Sequence, residues 1–441
     1  MTMTLNHQRS VSTMRKTARA AIGAALALAV LSVSACSGAT DGTPAGGDAI
    51  DPSLMENAPQ GTITWCAQKD SSGAFTAIVD AFNAQYKSDG YTLELLEFPE
   101  STDEWRNQFV QREEARSDEC DIFGADVVWT AEFANKGYLY DLTPYVDTRS
   151  DEFIPSTFST TDYEGKNWAV PFGTNVGFLF WRTDRVADGP ATWQQAYADA
   201  LDAGGIVYQG AAYEGLTVDY LEVATAAGGS VLSEDGTESA INSPENLAAL
   251  EFMVQGIEDG AAPRDVLTFT EEESRRAWEA GEAGLMRNWT YAYVLGKQNP
   301  EIADSFDIEP LPAFDGGTGT GSSILGGVNM VVNRYSANPG AALKAIDFIT
   351  SEEGQTIAAL KGQPATLTAV YDDPEVREAL PFWETLKAGI EQATSRPVTP
   401  VYSLVSQAIY TNVNRALSGE LSPQEALEQA DTDINEALNT F

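Results

Sequence analysis

Cys36 is the side chain whose type and surroundings most clearly indicate chemistry. It follows Val33-Ser34-Ala35 at the end of an apolar run that starts at Ala20, and basic residues at positions 15, 16 and 19 precede that run. This order is typical of a bacterial lipoprotein signal peptide, whose cysteine thiolate accepts a diacylglycerol. The alternative is a membrane-spanning helix, which needs about 20 apolar residues and is disfavoured by the shorter run. We therefore expect residues 1–35 to be a signal peptide and the mature chain to start at a lipidated Cys36, on the outer face of the cell membrane.

Histidine chemistry is excluded from the mature chain. His7 is the one histidine in the sequence, and it lies inside the expected signal peptide. Ser-His-Asp and Cys-His mechanisms, HExxH zinc sites and histidine general bases all require this residue. We predict no catalytic residue, no metal site and no cofactor.

Cys66 and Cys120 are the cysteines that remain after Cys36. An extracytoplasmic location permits disulfides, and two cysteines can form a single intramolecular bridge. Each lies in or next to a predicted strand, so a disulfide is expected if those strands are near neighbours in one sheet; the alternative is two separate buried thiols. Neither cysteine has a basic neighbour in the sequence that would lower its pKa, so neither is expected to be catalytic.

The charge and length of the chain limit its partners and its architecture. The formal net charge is −39, which disfavours binding to nucleic acid or to anionic lipid, so contact with a membrane is expected through the lipid anchor only. A hydrophobic content of 43% with nine tryptophans argues against disorder. The mature chain is longer than the about 250–300 residues that one hydrophobic core ordinarily holds, which predicts two lobes.

The order of local patterns predicts an α/β fold. Residues 36–60 are rich in Gly, Ala, Pro and Thr and are expected to form a flexible tether. Predicted strands at 61–67, 91–98 and 121–129 then alternate with predicted helices at 76–86 and 103–116, an order that indicates a parallel sheet covered on both faces. Later helix starts are predicted where an N-cap residue precedes proline, at Ser243-Pro244, Asn338-Pro339 and Ser422-Pro423.

Five ordered segments resemble the extracellular solute-binding proteins that supply sugars to ABC importers, most closely the trehalose/maltose-type members. The segments are Asp126-Val-Val-Trp-Thr-Ala-Glu-Phe-Ala134, Trp168-Ala-Val-Pro-Phe172, Gly281-Glu-Ala-Gly-Leu-Met-Arg-Asn-Trp289, Gly326-Gly-Val-Asn329 and Ser395-Arg-Pro-Val-Thr-Pro-Val-Tyr402. The resemblance implies a type II periplasmic-binding-protein-like fold, in which two α/β lobes close over a ligand cleft. It implies one lobe from residues 61–170 plus 327–361, a second from 171–326 plus 363–441, and a monomer that hands its ligand to permease subunits.

A neutral sugar needs hydrogen-bond partners for its hydroxyls and aromatic rings for its C–H faces. Trp289 and Tyr291 follow a predicted strand and are spaced to share one side if that strand continues, although core packing is the alternative for both. Asp126 lies in an otherwise apolar strand, where an unpaired carboxylate would be costly. By resemblance it accepts hydroxyl hydrogen bonds; the alternative is a carboxylate at the exposed end of the strand.

The remaining site candidates have weaker signals. Arg396 resembles the family's arginine that closes on the sugar, and a structural ion pair is the competing interpretation. Asn175 offers both a donor and an acceptor. For Gly326 and Gly327, two interpretations compete: close approach of the backbone to a ligand, and simple hinge flexibility. The weakest candidates rest on position, with surface solvation as the alternative for each. These weakest candidates are Asp70, Ser101 and Glu272, the last flanked by Glu271 and Glu273.

The sequence thus predicts a lipid-anchored binding protein for a neutral oligosaccharide, in particular a disaccharide such as trehalose or maltose, and not an enzyme. The competing prediction is a secreted glycoside hydrolase that uses paired carboxylates without histidine. A third is an adhesin or scaffold lipoprotein, which would bind no ligand in a deep cleft.

Overall fold

The structure is a computed structural model that describes residues 47–319, 321 and 323–440. The predicted signal peptide, the lipidation site Cys36 and the first part of the predicted tether lie outside the described residues. The strands are β1 (Gly61–Gln68), β2 (Tyr91–Phe98), β3 (Ile122–Asp126), β4 (Asp162–Tyr163), β5 (Lys166–Asn167), β6 (Val170–Asn175), β7 (Gly177–Arg182), β8 (Ile206–Val207), β9 (Leu285–Trp289), β10 (Phe306–Pro310) and β11 (Gly326–Val332). The helices are α1 (Ala74–Tyr86), α2 (Thr102–Glu114), α3 (Thr130–Asn135), α4 (Thr143–Val146), α5 (Pro155–Phe158), α6 (Trp193–Ala203), α7 (Glu214–Ala227), α8 (Pro244–Glu258), α9 (Glu271–Glu279), α10 (Tyr291–Gln298), α11 (Pro339–Ile349), α12 (Glu352–Ala359), α13 (Pro374–Ala379), α14 (Trp383–Gln392), α15 (Tyr402–Leu417) and α16 (Pro423–Leu438).

The first lobe is built on a sheet with the strand order β2-β1-β3-β11-β6. β1 pairs in parallel with β2 and β3, as the strand-helix alternation at the start of the body predicts. β11 runs antiparallel to both β3 and β6. Helices α1, α2, α11 and α12 contact this sheet.

The second lobe is built on a sheet with the order β10-β7-β9-β8. β7 is antiparallel to β9 and β10, whereas β8 is parallel to β9. Helices α6 and α9 contact β8 and β9, and α7, α8, α15 and α16 pack against one another. The predicted fold class, α/β with two lobes, is confirmed.

The chain passes between the two sheets at two points that matter for the site. β6 belongs to the first sheet and β7 to the second, and Val176 alone separates them. The chain returns to the first sheet between β10 and β11, so that Asn175 and Gly326 pair at the edge of that sheet. The first passage therefore comes later than the boundary predicted at residue 170, because β6 pairs with β11 over its length.

The N-cap and proline signals mark real helix starts. The side chains of Ser243, Asn338 and Ser422 each accept a hydrogen bond from the backbone N–H three residues later, at the starts of α8, α11 and α16. Each cap satisfies one backbone N–H of the first turn that has no partner within the helix. All three predicted starts are confirmed.

The predicted strand over 121–129 is too long. β3 ends at Asp126, and Val127–Trp129 form a 3₁₀ turn. The Asp126 carboxylate accepts a hydrogen bond from Val128 N at 3.1 Å, which caps that turn. An apolar run continues through both elements, so its hydrophobicity alone does not mark where the strand ends.

The described part of the predicted tether is packed on the first lobe. Ile50 is 2% exposed, and its N–H donates to Asp141 O at 2.9 Å. The Asn338 side chain donates to Pro59 O at 2.9 Å. The prediction of a flexible tether is therefore wrong for residues 47–60, because a few apolar side chains in a polar segment anchor it to the body.

Cys66 and Cys120 are joined by a disulfide, with their Cα atoms 5.8 Å apart. Cys66 lies on β1 and Cys120 directly precedes β3, and these two strands are neighbours in the first sheet. The condition on which the sequence prediction depended is thus met. Both residues are fully buried beside the aromatic core of this lobe.

Candidate ligand-binding cleft

A cleft of about 1060 Å³, partly open to solvent, is lined by residues of both lobes. Strands β1, β2 and β3 are parallel and end at the same edge of the first sheet, where antiparallel β11 begins. The second lobe contributes the starts of α7, α9 and α10 and the end of β9. Carboxyl ends of strands are where α/β folds ordinarily bind ligands.

Most of the predicted site residues line this cleft, and two do not. The predicted residues in the lining are Asp70, Asp126, Asn175, Trp289, Tyr291, Gly326, Gly327 and Arg396. Ser101 and Glu272 are outside the lining, although their neighbours Glu100, Thr102 and Glu271 are part of it.

Arg396 connects carboxylates from the two lobes. Its Nη1 donates to Glu214 Oε1 at 2.7 Å and its Nη2 to Asp126 Oδ1 at 3.0 Å. Asp126 ends β3 in the first lobe, and Glu214 begins α7 in the second. The Arg396 side chain is 2% exposed, whereas Asp126 is 14% exposed and faces the cleft. The structure therefore shows an ion pair with two cleft acids, where the sequence analysis allowed a ligand contact or a pair with a surface acid.

The surroundings of Arg396 keep its charge in place. Burial would lower the pKa of Arg396, but Asp126 and Glu214 raise it above its ordinary value. Burial raises the pKa of Glu214, and Arg396 opposes that rise. Glu214 also accepts hydrogen bonds from Tyr402 Oη at 2.6 Å and from Ser406 Oγ. Together these contacts fix the position of the Glu214 carboxylate.

Trp289 ends β9 with a partly exposed ring. The guanidinium carbon of Arg287 lies over that ring, 4.0 Å from its centroid. A Cβ added to Gly326 would lie 3.2 Å from the ring, so the glycine leaves room for the indole edge. The ring thus has an arginine on one face and a glycine at its edge, and it borders the cleft.

Tyr291, which lines the cleft, and Glu272, which does not, form a buried pair. Tyr291 starts α10 instead of continuing the strand, so the condition under which it would share one side with Trp289 is not met. Its hydroxyl donates to Glu272 Oε1 at 2.8 Å, and burial raises its pKa well above the ordinary value. Glu272 is 3% exposed, pairs with Arg275 at 2.7 Å and lies outside the cleft lining, so its role as a ligand contact stays a prediction. Successive residues of a helix point in different directions, and Glu271 is the acid of this run that faces the cleft.

Asn175 and the two glycines are placed by the pairing of β6 and β11. Asn175 Oδ1 accepts from Thr290 Oγ1 at 2.7 Å, which fixes the orientation of the amide group. Gly327 has φ +147°, and a Cβ there would lie 2.5 Å from Gly173 O. Backbone packing between strands therefore requires this glycine. This reason differs from both sequence interpretations, which were close approach to a ligand and hinge flexibility.

Asp70 and Ser101 have local structural surroundings. Asp70 accepts hydrogen bonds from Ser72 N at 2.9 Å and from Phe75 N at 3.0 Å, and so it organises the turn before α1. It still lines the cleft. Ser101 occupies the N-cap position of α2 but its side chain caps nothing, and it lies outside the cleft lining. Its neighbours Glu100 and Thr102 are in the lining, and the role of Ser101 as a ligand contact stays a prediction.

Several cleft residues were missed by the sequence analysis. Glu214 and Glu271 start helices, where acids are common for reasons of the helix dipole alone, so the sequence has no signal that marks them. Burial raises the pKa of Glu100, and the nearby acids Glu272 and Glu271 raise it further. Burial also raises the pKa of Glu271. Other missed members of the lining are Gln68, Lys69, Ser71, Ser72, Phe75, Thr102, Trp105, Phe172, Gly173, Thr174, Gly215, Val218, Val328 and Gln363.

Acids outnumber bases in the lining. The acids are Asp70, Glu100, Asp126, Glu214 and Glu271, and the bases are Lys69 and Arg396. Since Arg396 is paired with two of the acids, Lys69 is the cation left for an anionic ligand. Such a lining favours ligands that donate hydrogen bonds and disfavours anions.

None of the helices among the described residues combines the length and apolar character needed to cross a membrane. Among the same residues, no group of three or more Asp, Glu, His and Cys side chains is arranged to hold a metal ion.

Comparisons with known proteins agree on one family. A family model described as bacterial extracellular solute-binding protein matches residues 68–356. A probable ABC transporter-binding protein of Deinococcus radiodurans is 31% identical over 389 residues, which cover 83% of this chain and 91% of the relative.

Solved structures show the same architecture. Maltose-bound MalE3 of T. maritima is 33% identical with a TM-score of 0.80, over 86% of this chain and 100% of that one. The GacH receptor of Streptomyces glaucescens, solved unliganded and with acarbose, is 22% identical with a TM-score of 0.77 over 87% of this chain and 100% of that one. At that identity the second likeness concerns the fold alone.

Proposed function

The chain belongs to the family of bacterial extracellular solute-binding proteins, and from that premise we propose that it captures a neutral disaccharide of the trehalose or maltose type for an ABC importer. Members of this family are the substrate-binding proteins of ABC transporters, not enzymes. The observation that carries the proposal is the cleft itself, in which an indole ring lies among carboxylates and an amide. The 33% identity to a protein with maltose bound supports this ligand class.

The two kinds of surface on a sugar match the two kinds of side chain in the cleft. Trp289 offers a ring face for the C–H surface of a pyranose. The carboxylates of Asp126 and Glu271 accept hydrogen bonds from hydroxyls, and the amide nitrogen of Asn175 donates one. A disaccharide uses both kinds of contact at once.

Lobe closure couples binding to transport. Arg396 contacts one carboxylate from each lobe, so a ligand that touches Asp126 stabilises the arrangement that brings the lobes together. A ligand shifts such an equilibrium only by its differential affinity for the two states. The closed, loaded form is the one that the permease subunits recognise, and the protein acts as a monomer.

The cell envelope is the place where this capture occurs. The family is extracellular. The segment that ends at Cys36 supports a lipid anchor on the outer face of the membrane, which keeps the binding protein near its permease.

The test is a calorimetric titration of residues 47–441 with maltose and trehalose, and with glucose and glucose 6-phosphate as comparison ligands. We expect saturable binding of a disaccharide and weaker binding of both comparison ligands. Absence of binding for all four sugars would refute the proposal. Release of glucose from maltose on prolonged incubation would support the hydrolase instead.

A matched pair of variants locates the site. Trp289→Ala should weaken binding of the disaccharide by more than about tenfold, since aromatic anchors dominate such contacts. Trp383→Ala is the control, because Trp383 is also partly exposed and also lies under an arginine, Arg377 at 4.4 Å, but outside the cleft lining. Equal affinities for both variants would remove Trp289 from the site.

A further inference from the structure

Arg287 lies directly beneath the ring that borders the cleft. It precedes Trp289 by two residues on β9, so the two side chains are on the same face of the strand. Its guanidinium carbon is 4.0 Å from the centroid of the Trp289 ring. Arg287 is 1% exposed and is not among the described residues that line the cleft. Arg287 therefore does not touch a ligand in the cleft directly, and Trp289 is the lining residue that its guanidinium covers.

The guanidinium is fixed on all sides by a buried arginine cluster, formed by Arg287, Glu222, Asp219 and Gln209. Glu222 accepts two hydrogen bonds, from Nε and Nη2 of Arg287, both at 2.6 Å. Gln209 Oε1 accepts from Nη1 at 2.8 Å, and Asp219 Oδ1 lies 3.0 Å from Nε. A planar guanidinium held by this many partners cannot rotate, so its plane sets the plane of whatever stacks on it.

The charges of the cluster keep Arg287 protonated. Burial would lower the pKa of Arg287, but Asp219 and Glu222 raise it above its ordinary value. A cation over an indole face is attracted by the ring quadrupole, and the attraction is stronger when both groups are desolvated. The contact therefore holds the ring as well as filling space under it.

The same cluster is attached to the passage between the lobes. Ser323 Oγ donates to Glu222 Oε1 at 2.8 Å and accepts from Gly177 N at 2.6 Å. Gly177 begins β7, one residue after Val176. A Cβ at Gly177 would lie 2.6 Å from Glu222 Oε1 and 2.8 Å from Arg287 Nη2, so glycine alone leaves space for the cluster. The cluster that supports the Trp289 ring is thus hydrogen-bonded to the segments that join the two sheets.

We propose that Arg287 is the positioning residue for Trp289: its guanidinium covers the ring face turned away from the ligand and holds the indole plane ready for stacking on a sugar. This inference rests on the proposed function in assigning Trp289 to the ligand. It goes further in making affinity depend on a residue that the ligand never touches.

The first test does not involve a sugar. The protein labelled with 5-fluorotryptophan has nine tryptophans, and the ¹⁹F resonance absent from Trp289→Phe is that of Trp289. We expect Arg287→Met and Arg287→Lys to shift and broaden this resonance. Arg287→Lys keeps the positive charge beside Glu222 and Asp219 and so keeps the fold if Arg287→Met does not. An unchanged Trp289 resonance in the lysine variant would overturn the proposal.

A matched control tests whether the change in the Trp289 resonance is specific to the loss of Arg287. Arg377→Met removes the arginine that lies 4.4 Å from the ring of Trp383 on α14. It should move the Trp383 resonance and leave that of Trp289 in place. If it moved the Trp289 resonance as well, the response would report general loosening and the proposal would fail.

The second test measures the affinity for maltose in a double-mutant cycle. Arg287→Lys should weaken binding about tenfold when Trp289 is present, because an ammonium group lacks the planar guanidinium that covers the ring, and less than about twofold in the Trp289→Ala background. A purely structural role predicts equal losses in both backgrounds, and that result would overturn the proposal. If the parent protein binds neither maltose nor trehalose, the proposed function fails, while the ¹⁹F resonance still decides the role of Arg287.

Discussion

Replacing Glu113 by glutamine should stabilise the protein by an amount that grows as the pH rises from 5 to 7. Glu113 lies on α2 and is 1% exposed, and neither of its carboxylate oxygens has a hydrogen-bond partner among the described residues. Burial raises its pKa from 4.5 to about 8. Below about pH 4.5 the group is protonated in both states and costs nothing. As the pH rises towards 8, the unfolded state ionises while the folded state does not, and stability is lost.

The size of this effect follows from the two pKa values of Glu113. One pKa unit corresponds to about 1.36 kcal/mol, so the cost at pH 7 exceeds the cost at pH 5 by about 2.5 kcal/mol. Urea unfolding of the parent and of Glu113→Gln at pH 5, 6 and 7 measures the difference. Glu114→Gln is the control, since Glu114 is the next residue of the same helix and is exposed. A difference between parent and Glu113→Gln that does not change with pH would refute the reasoning.

Three further predictions address the cleft, the disulfide and the anchor. Glu271→Gln should weaken disaccharide binding about tenfold by calorimetry, because it replaces a charged acceptor of hydroxyl hydrogen bonds, whereas exposed Glu273→Gln should not; equal effects would remove Glu271 from the site. Replacing both Cys66 and Cys120 by alanine opens a cross-link with a sequence separation of 54 and should lower the free energy of unfolding by about 4 kcal/mol in urea; no change would mean that the bridge does not restrain the unfolded chain. Cys36→Ala should move the protein from the membrane fraction to the soluble fraction of cells, and retention in the membrane fraction would contradict lipid anchoring.

The sequence predicted the start of a helix correctly where the interaction that starts the helix is made between residues close together in the chain. The caps at Ser243, Asn338 and Ser422 place helix starts, since each cap is made between residues three apart. The end of β3 was misplaced, because a strand and the turn after it share one apolar run, and a single capping bond from Asp126 separates them. The packing of residues 47–60 was missed for a similar reason, since the partners of Ile50 lie far away in the chain.

The site was predictable in its residue types more than in its individual members. Trp289, Asp126 and Arg396 stand out because an aromatic, a carboxylate and a guanidinium occur at strand ends or in motifs. The sequence left open which of Glu271, Glu272 and Glu273 reaches the cleft, because a shift of one residue on a helix turns the side chain from the cleft lining to Arg275.

The sequence by itself determined the α/β order of elements, the excess of acids and the absence of histidine after residue 7, because composition and short-range pattern carry these properties. The tertiary structure alone decided that Arg396 pairs with Asp126 and Glu214, which lie 270 and 182 residues away along the chain. It also decided that Arg287 on β9 lies beneath Trp289 and is held by Glu222 on α7. The physical reason is that ion pairs and ring contacts depend on distances of a few ångströms, and the docking of helices and sheets sets those distances.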